Sequence, residues 1–257
     1  MTMLFDTHAH LDDDKLFPQV ADVLSRAADA GIGWINSVGC DLASSLRNVV
    51  LAQKYDNVYA TVGVHPSENH DMSDDAMAKL LELAKMPKVV AWGEIGLDYH
   101  YEDDTPHDVQ REYFRRQIHL AKQAGKPIVI HDRDAHQDVM DIIDQEKAGE
   151  NGGILHCFSG SWEMAKFCLS HGFMISFAGP LTYKNARVPV EVASKVPLDM
   201  VLVETDSPYL TPHPFRGHTN ESAFVAYTAA KLAEIRGMTV DEIAEITTAN
   251  AKKIFKL

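Results

Sequence analysis

The chain has 257 residues, 46% apolar and 24% charged, with a net charge of −13. These proportions fit an ordinary globular chain and exclude collagen-like and disordered classes. The acidic balance leaves no basic stripe of the kind that grips long duplex DNA, and three unclustered cysteines (Cys40, Cys157, Cys168) give neither a disulfide framework nor a cysteine zinc site.

In chain order, short apolar runs that read as buried strands lie near 3–7, 33–38, 58–64, 88–94, 127–131, 152–156, 173–177 and 200–205. Helical patterns lie between them, near 15–30, 42–55, 73–85, 108–124, 134–147, 161–171, 186–195 and 221–235, with a terminal helix near 240–254. Ser73, Ser161 with Glu163, and Thr239 before Asp241 and Glu242 are helix starts, while Gly31, Gly125 and Gly172 fall at helix stops. The long non-helical stretches, Gly96 to His107 and Ser207 to Asn220, suit loops that shape a pocket. This alternation predicts an α/β chain folded as a (β/α)8 TIM barrel, one domain over 1–257, near the size of about 250 residues typical of that fold. No charged-then-apolar leader opens the sequence, and no apolar stretch approaches the roughly 20 residues of a membrane span. A cytoplasmic protein without a membrane contact or an obligate protein partner is expected.

In such a barrel the downstream strand ends converge on one face, where active sites lie. Six potential metal ligands occupy those ends: His8 and His10, Glu94, His131, His156 and Asp206. His8 and His10 are two residues apart, so on a strand they point the same way. Glu94 ends the run VVAWGE, and a carboxylate is costly to bury there unless it is paired or binds a metal. Singly, each histidine reads as a satisfied core residue, and Asp206 as a turn residue before Pro208. Jointly, such readings require a coincidence at the same end of five strands. Cys157 follows His156 and, if the strand continues, points into the core instead. Mixed nitrogen and oxygen donors suit zinc, magnesium, manganese and similar divalent ions without choosing among them. Six are too many for one tetrahedral catalytic ion; two ions with a bridging carboxylate fit better.

The stretches LFDTHAHLD (4–12), TVGVHP (61–66), GEIGLDYHY (93–101), KPIVIHDRDA (126–135), GGILHCFSGS (152–161) and LVETDSPYL (202–210) resemble, in order and over nearly the whole length, the TatD family of metal-dependent deoxyribonucleases within the amidohydrolase-like barrels. The resemblance implies that His8, His10 and Asp206 hold one divalent ion, His131 and His156 a second, and that Glu94 bridges them. It further implies a deoxyribonuclease that acts from 3′ to 5′ on DNA ends or short single strands, cleaving phosphodiesters with metal-activated water. Asp206, Glu94 and His65 are the expected catalytic residues, Asp206 as general base. His65, Arg133 and His218 are expected substrate contacts, and Glu204, two residues before Asp206, is expected to orient ligands from behind. Tyr99, His100 and Tyr101 could stack on a base, though such residues more often pack a loop. The stretch RGHTNES (216–222) departs from the family's usual pattern, with His218 in place of lysine and Ser222 in place of proline. A metallohydrolase of an amide, lactone or ester is the alternative enzyme. A non-catalytic scaffold is disfavoured, because it has no need of six costly polar groups.

Overall fold

The computed structural model describes residues 2–71, 73–100 and 105–257. Eight strands, β1 (Leu4–Ala9), β2 (Ile32–Val38), β3 (Val58–Val62), β4 (Val89–Asp98), β5 (Ile128–Arg133), β6 (Gly153–Leu155), β7 (Phe173–Phe177) and β8 (Val201–Val203), form one sheet in chain order. Parallel strands need crossover connections, and the helices supply them. These are α1 (Val20–Asp29), α2 (Leu42–Lys54), α3 (Asp74–Leu83), α4 (His107–Ala124), α5 (His136–Gln145), α6 (Trp162–Ser170), α7 (Arg187–Lys195) and α8 (Val225–Arg236), with α9 (Val240–Phe255) closing the sequence. The fold is the predicted (β/α)8 barrel. Ser73 accepts the Ala76 N–H at the start of α3, and Thr239 and Glu242 form a reciprocal capping box at the start of α9. Gly125 ends α4 in the left-handed region.

Strand ends shift from the expected bounds by up to four residues, and three of these shifts matter for the site. β4 does not stop at Glu94: it runs on to Asp98, because a register shift between Trp92 and Ile95 lets Gly96, Leu97 and Asp98 pair with His131, Asp132 and Arg133 of β5. Part of the loop expected from Gly96 is therefore strand. β6 ends at Leu155, so His156 and Cys157 lie in a turn. Cys157 has φ +42° and is half-buried, which corrects its reading as a strand residue pointing into the core. β8 ends at Val203, three residues before Asp206.

The chain comprises two compact units, one of residues 1–37, 157–165 and 175–257, the other of 38–156 and 166–174. In the first, Phe5 packs against Trp34 and Phe255, and Val201, Leu202 and Val203 are buried. Its β1 and β8 segments are joined past the strand ends by a parallel bridge between Ala9 and Ser207. In the second, Trp92 is fully buried with Phe114, Ile118 and Leu80, and its indole N–H donates to Gln117 Oε1. Emptying the Trp92 site by substitution with alanine costs roughly 3–5 kcal/mol. Among the described residues no helix is long and apolar enough to cross a membrane.

Candidate metal centre

Each unit carries a cluster of the expected ligands. In the first unit, β1 presents His8 at its end and His10 just beyond it. His8 Nε2 lies 3.3 Å from His10 Nε2. Asp206 Oδ1 lies 3.7 Å from His8 Nε2 and 3.4 Å from His10 Nε2. All three residues are buried.

The Asp206 turn is held from several sides. Its φ of +57° is left-handed, a region aspartate tolerates better than most residues. Its N–H donates to the His8 carbonyl at 2.9 Å, and its carbonyl accepts from Tyr209 N–H. Asn220, fully buried, donates through Nδ2 to the carbonyls of both Thr205 and Tyr209, which flank Asp206. Behind the turn, Asp6 accepts the Thr205 N–H at 2.8 Å and the Thr205 hydroxyl at 2.6 Å. Burial pushes the Asp6 carboxyl up to about 7 in spite of these bonds. Glu204, completely buried, accepts the Cys157 N–H at 2.6 Å and the Ser176 hydroxyl at 2.6 Å. It thereby fixes the turn that begins at His156.

In the second unit, Glu94 Oε1 is the focus. His131 Nδ1 lies 2.8 Å from it and His156 Nε2 2.7 Å, and the two ring nitrogens are 3.4 Å apart. The other His131 nitrogen, Nε2, is 3.0 Å from Asp98 Oδ2. Asp98 sits four residues after Glu94 on β4, so both project from the same face of one strand. Burial alone would raise the Asp98 carboxyl, but the bonds from His131 and from the His100 backbone N–H outweigh it and hold it below the usual carboxylate range. Burial likewise opposes a charge on His131, yet its bonds to Asp98 and Glu94 prevail and raise its pKa. His65 stands beside this group, with Nε2 3.8 Å from Glu94 Oε1 and its ring edge-on to His131 at 4.4 Å. Ser67 N–H donates to His65 Nδ1, which leaves the ring proton on Nε2, facing Glu94.

Both sets offer the mixed nitrogen and carboxylate donors that a divalent ion accepts, and the first also has the spacing. Tetrahedral ligands at about 2.1 Å from a metal are spaced roughly 3.3 Å apart, and the nitrogen and oxygen atoms of the first cluster stand 3.3 to 3.7 Å from one another. A carboxylate that takes one nitrogen of a histidine and leaves the other for a metal, as Asp98 does with His131, is the usual way to fix such a ligand.

The side chains of the remaining expected residues are accounted for as follows. Arg133 is exposed at the end of β5. His218 is exposed in the loop that follows β8, where its carbonyl accepts from Thr211. Tyr99 packs a loop: its ring stacks on His107 at 3.7 Å and its hydroxyl donates to Asp138. His100 pairs with Asp134, and Tyr101 lies outside the described residues. Asp6, Asp98 and Asn220 are positioning residues not anticipated from sequence. Only Asp98 had a usable signal, its even spacing from Glu94.

A metal-dependent hydrolase on a (β/α)8 scaffold is the class these features define, and comparison with known proteins narrows it. The family model described as TatD related DNase matches residues 5–256. An uncharacterized metal-dependent hydrolase of Bacillus subtilis, YabD, is 48% identical over 99% of this chain and 100% of its own length. The 3′-5′ ssDNA/RNA exonuclease TatD of Shigella flexneri is 31% identical over 98% of each. The crystal structure of the TatD homolog YJJV from Escherichia coli K12 superposes with a TM-score of 0.93 at 32% identity, covering 99% of this chain and 98% of that one. The chain belongs to the TatD-related DNase family of metal-dependent hydrolases.

Proposed function

We propose that this chain is a deoxyribonuclease that trims single-stranded or frayed DNA ends from 3′ to 5′, using two divalent ions within one catalytic domain over residues 1–257. The observation that carries this reading is a pair of carboxylate–histidine sets: His8, His10 and Asp206, spaced for a divalent ion, and Glu94 in direct contact with His131 and His156. A relative aligned over nearly the whole chain and named a 3′-5′ ssDNA/RNA exonuclease supports it.

His8, His10 and Asp206 would hold one ion and His131 and His156 the other, with Glu94 shared. Such ions lower the pKa of bound water and offset charge on the phosphoryl oxygens. Asp206 takes the proton of the attacking water. The water oxygen then joins phosphorus, the bond to the leaving sugar oxygen breaks, and the proton passes to that oxygen. His65 donates its Nε2 proton to a non-bridging phosphate oxygen. Arg133 and His218, both exposed, meet the strand outside the clusters, and Glu204 and Asp98 keep the ligand-bearing segments in place.

End-directed action follows from charge. At −13 the chain offers no track for many phosphates, and an internal duplex step must first unstack, at a cost of a few kcal/mol. A cytoplasmic site of action fits the three free cysteines. The test compares a single-stranded oligonucleotide, a blunt duplex and a closed circular duplex at matched phosphate and metal. Progressive trimming of the first, slower trimming of the second and an intact third are expected; efficient nicking of the circle refutes end-directed action. Solved lactonases and organophosphorus hydrolases share the fold at 15% identity, which speaks to architecture alone and favours no other substrate.

A further inference from the structure

We infer that Tyr209 and Arg216, on the segment that follows β8, form the platform that grips the terminal nucleotide, Tyr209 by stacking on its base and Arg216 by pairing with a neighbouring phosphate. The inference rests on the nuclease reading above and adds the residues that recognise the strand.

Three observations converge. Tyr209 lies three residues after Asp206, and its ring centroid is 6.0 Å from that of His10, a member of the same donor set. It is nonetheless 49% exposed, an unusual state for a large ring beside a buried cluster. Its hydroxyl donates to Asp13 Oδ2 at 2.8 Å, so the ring is fixed in orientation before any ligand arrives. A fixed, exposed aromatic face accepts any base, because every base has a π-face.

Arg216 supplies the second contact. Arg26, Arg111, Arg115 and Arg116 are each tied to a carboxylate. Arg216 instead lays its guanidinium over the ring of Tyr183, 4.3 Å from the centroid, and stays exposed. The Tyr183 hydroxyl donates to the Thr211 carbonyl at 3.1 Å, which ties this pair to the segment carrying Tyr209. An exposed guanidinium seated over an aromatic ring still has N–H donors to offer a phosphate. In a chain of net charge −13 such a cation is a local exception that attracts one anionic group, not an extended backbone.

Two substrates separate the platform from the chemistry: a thymidine octamer, and bis(4-nitrophenyl) phosphate, which has a phosphodiester but no flanking nucleotide. For Tyr209→Leu the ratio of kcat/KM on the octamer to that on the aryl diester should fall about tenfold, in line with the loss of one base stack, while Tyr209→Phe, which keeps the ring but loses its tie to Asp13, should lower the ratio by a smaller factor. Arg216→Ala should raise KM for the octamer more than it lowers kcat, and Arg216→Lys should recover part of the loss. Binding of a fluorescein-labelled, phosphorothioate-protected octamer, followed by anisotropy, gives a readout without turnover. There Arg216→Ala should reduce the slope of log affinity against log salt by about 0.7, one phosphate contact on a single strand. An unchanged ratio and slope in both variants, with the wild type cleaving both substrates, overturns the platform. A wild type that cleaves neither overturns the nuclease reading instead.

Discussion

Asp6 gives the most quantitative test of the network behind the metal centre. Its carboxyl is fully buried, and its pKa rises from 3.8 to about 7. The folded chain therefore binds this proton more tightly than the unfolded chain. Nothing is lost below about pH 4; as pH rises from there to about 7, folding loses stability. A difference of about three pH units, at 1.36 kcal/mol each, amounts to roughly 4 kcal/mol at pH 8. At pH 5 only about 1.6 kcal/mol of it is incurred, so the change between pH 5 and pH 8 is close to 3 kcal/mol. Asp6→Asn is a neutral isostere of the protonated acid. Its Oδ1 still accepts the Thr205 N–H, and its amide can donate to the Thr205 hydroxyl, which lies 3.4 Å from the His8 carbonyl as an alternative acceptor. Urea unfolding of chelator-treated protein at pH 5, 6, 7 and 8 measures the effect. The variant should gain on the wild type by roughly 3 kcal/mol across that range. Curves that stay parallel within about 0.5 kcal/mol, well inside the predicted change, would refute the argument that burial governs this carboxyl.

Other expectations concern the ligands themselves. Glu94→Gln should abolish metal retention, read by elemental analysis, and reduce turnover far more than His65→Ala, because the amide lacks the charge two cations need; equal losses would make His65 a ligand. Asp98→Asn should weaken metal affinity by about 10- to 100-fold in calorimetry, the usual cost of losing a carboxylate behind a histidine ligand, and should lessen the fall in affinity on acidification that the raised His131 pKa imposes. Asn220→Ala should cost about 1–3 kcal/mol in urea unfolding, because the buried Thr205 carbonyl and the part-buried Tyr209 carbonyl lose their shared donor; a smaller loss would show that the turn holds without it. Replacing His218 with lysine, which puts a fixed charge at an exposed loop position, should tighten binding of a single-stranded oligonucleotide; an unchanged affinity would remove His218 from the strand contacts.

Strand periodicity and the position of polar residues at strand ends made the barrel legible, since apolar runs of five or so residues alternate with capped helices throughout. The same signal marked His8, His10, Glu94, His131, His156 and Asp206, because a polar side chain ending a buried strand is costly without a purpose. Asp98 escaped notice because Gly96 reads as a strand breaker. The pairing of Gly96 with His131, which carries the strand past it, depends on β5, 35 residues further on by the difference 131 − 96. Asn220 reads as a polar loop residue; its two carbonyl partners, 15 and 11 residues away, become visible only once the chain has turned back on itself. Cys157 was misplaced because β6 stops at Leu155, one residue short of the expected end, a distance below the resolution of any apolar run. Tyr209 was passed over in favour of Tyr99 for the same reason: nothing local distinguishes a ring that packs a loop from one that stands open beside a histidine.

The two clusters also differ in when they can exist. Glu94, His131 and His156 are separated by 37 and 25 residues, so that set is available early in synthesis. The other set needs segments far apart in sequence: Asp6 and Thr205, which bond behind it, are 199 residues apart. At about 5–20 residues per second, a ribosome spends roughly 10–40 s between making the histidine pair and making the aspartate that joins it. During that interval, and in any product broken off before residue 206, His8 and His10 are an incomplete set. The His8 set is complete only once residue 206 has been made, so a shorter product carries the Glu94 set without it.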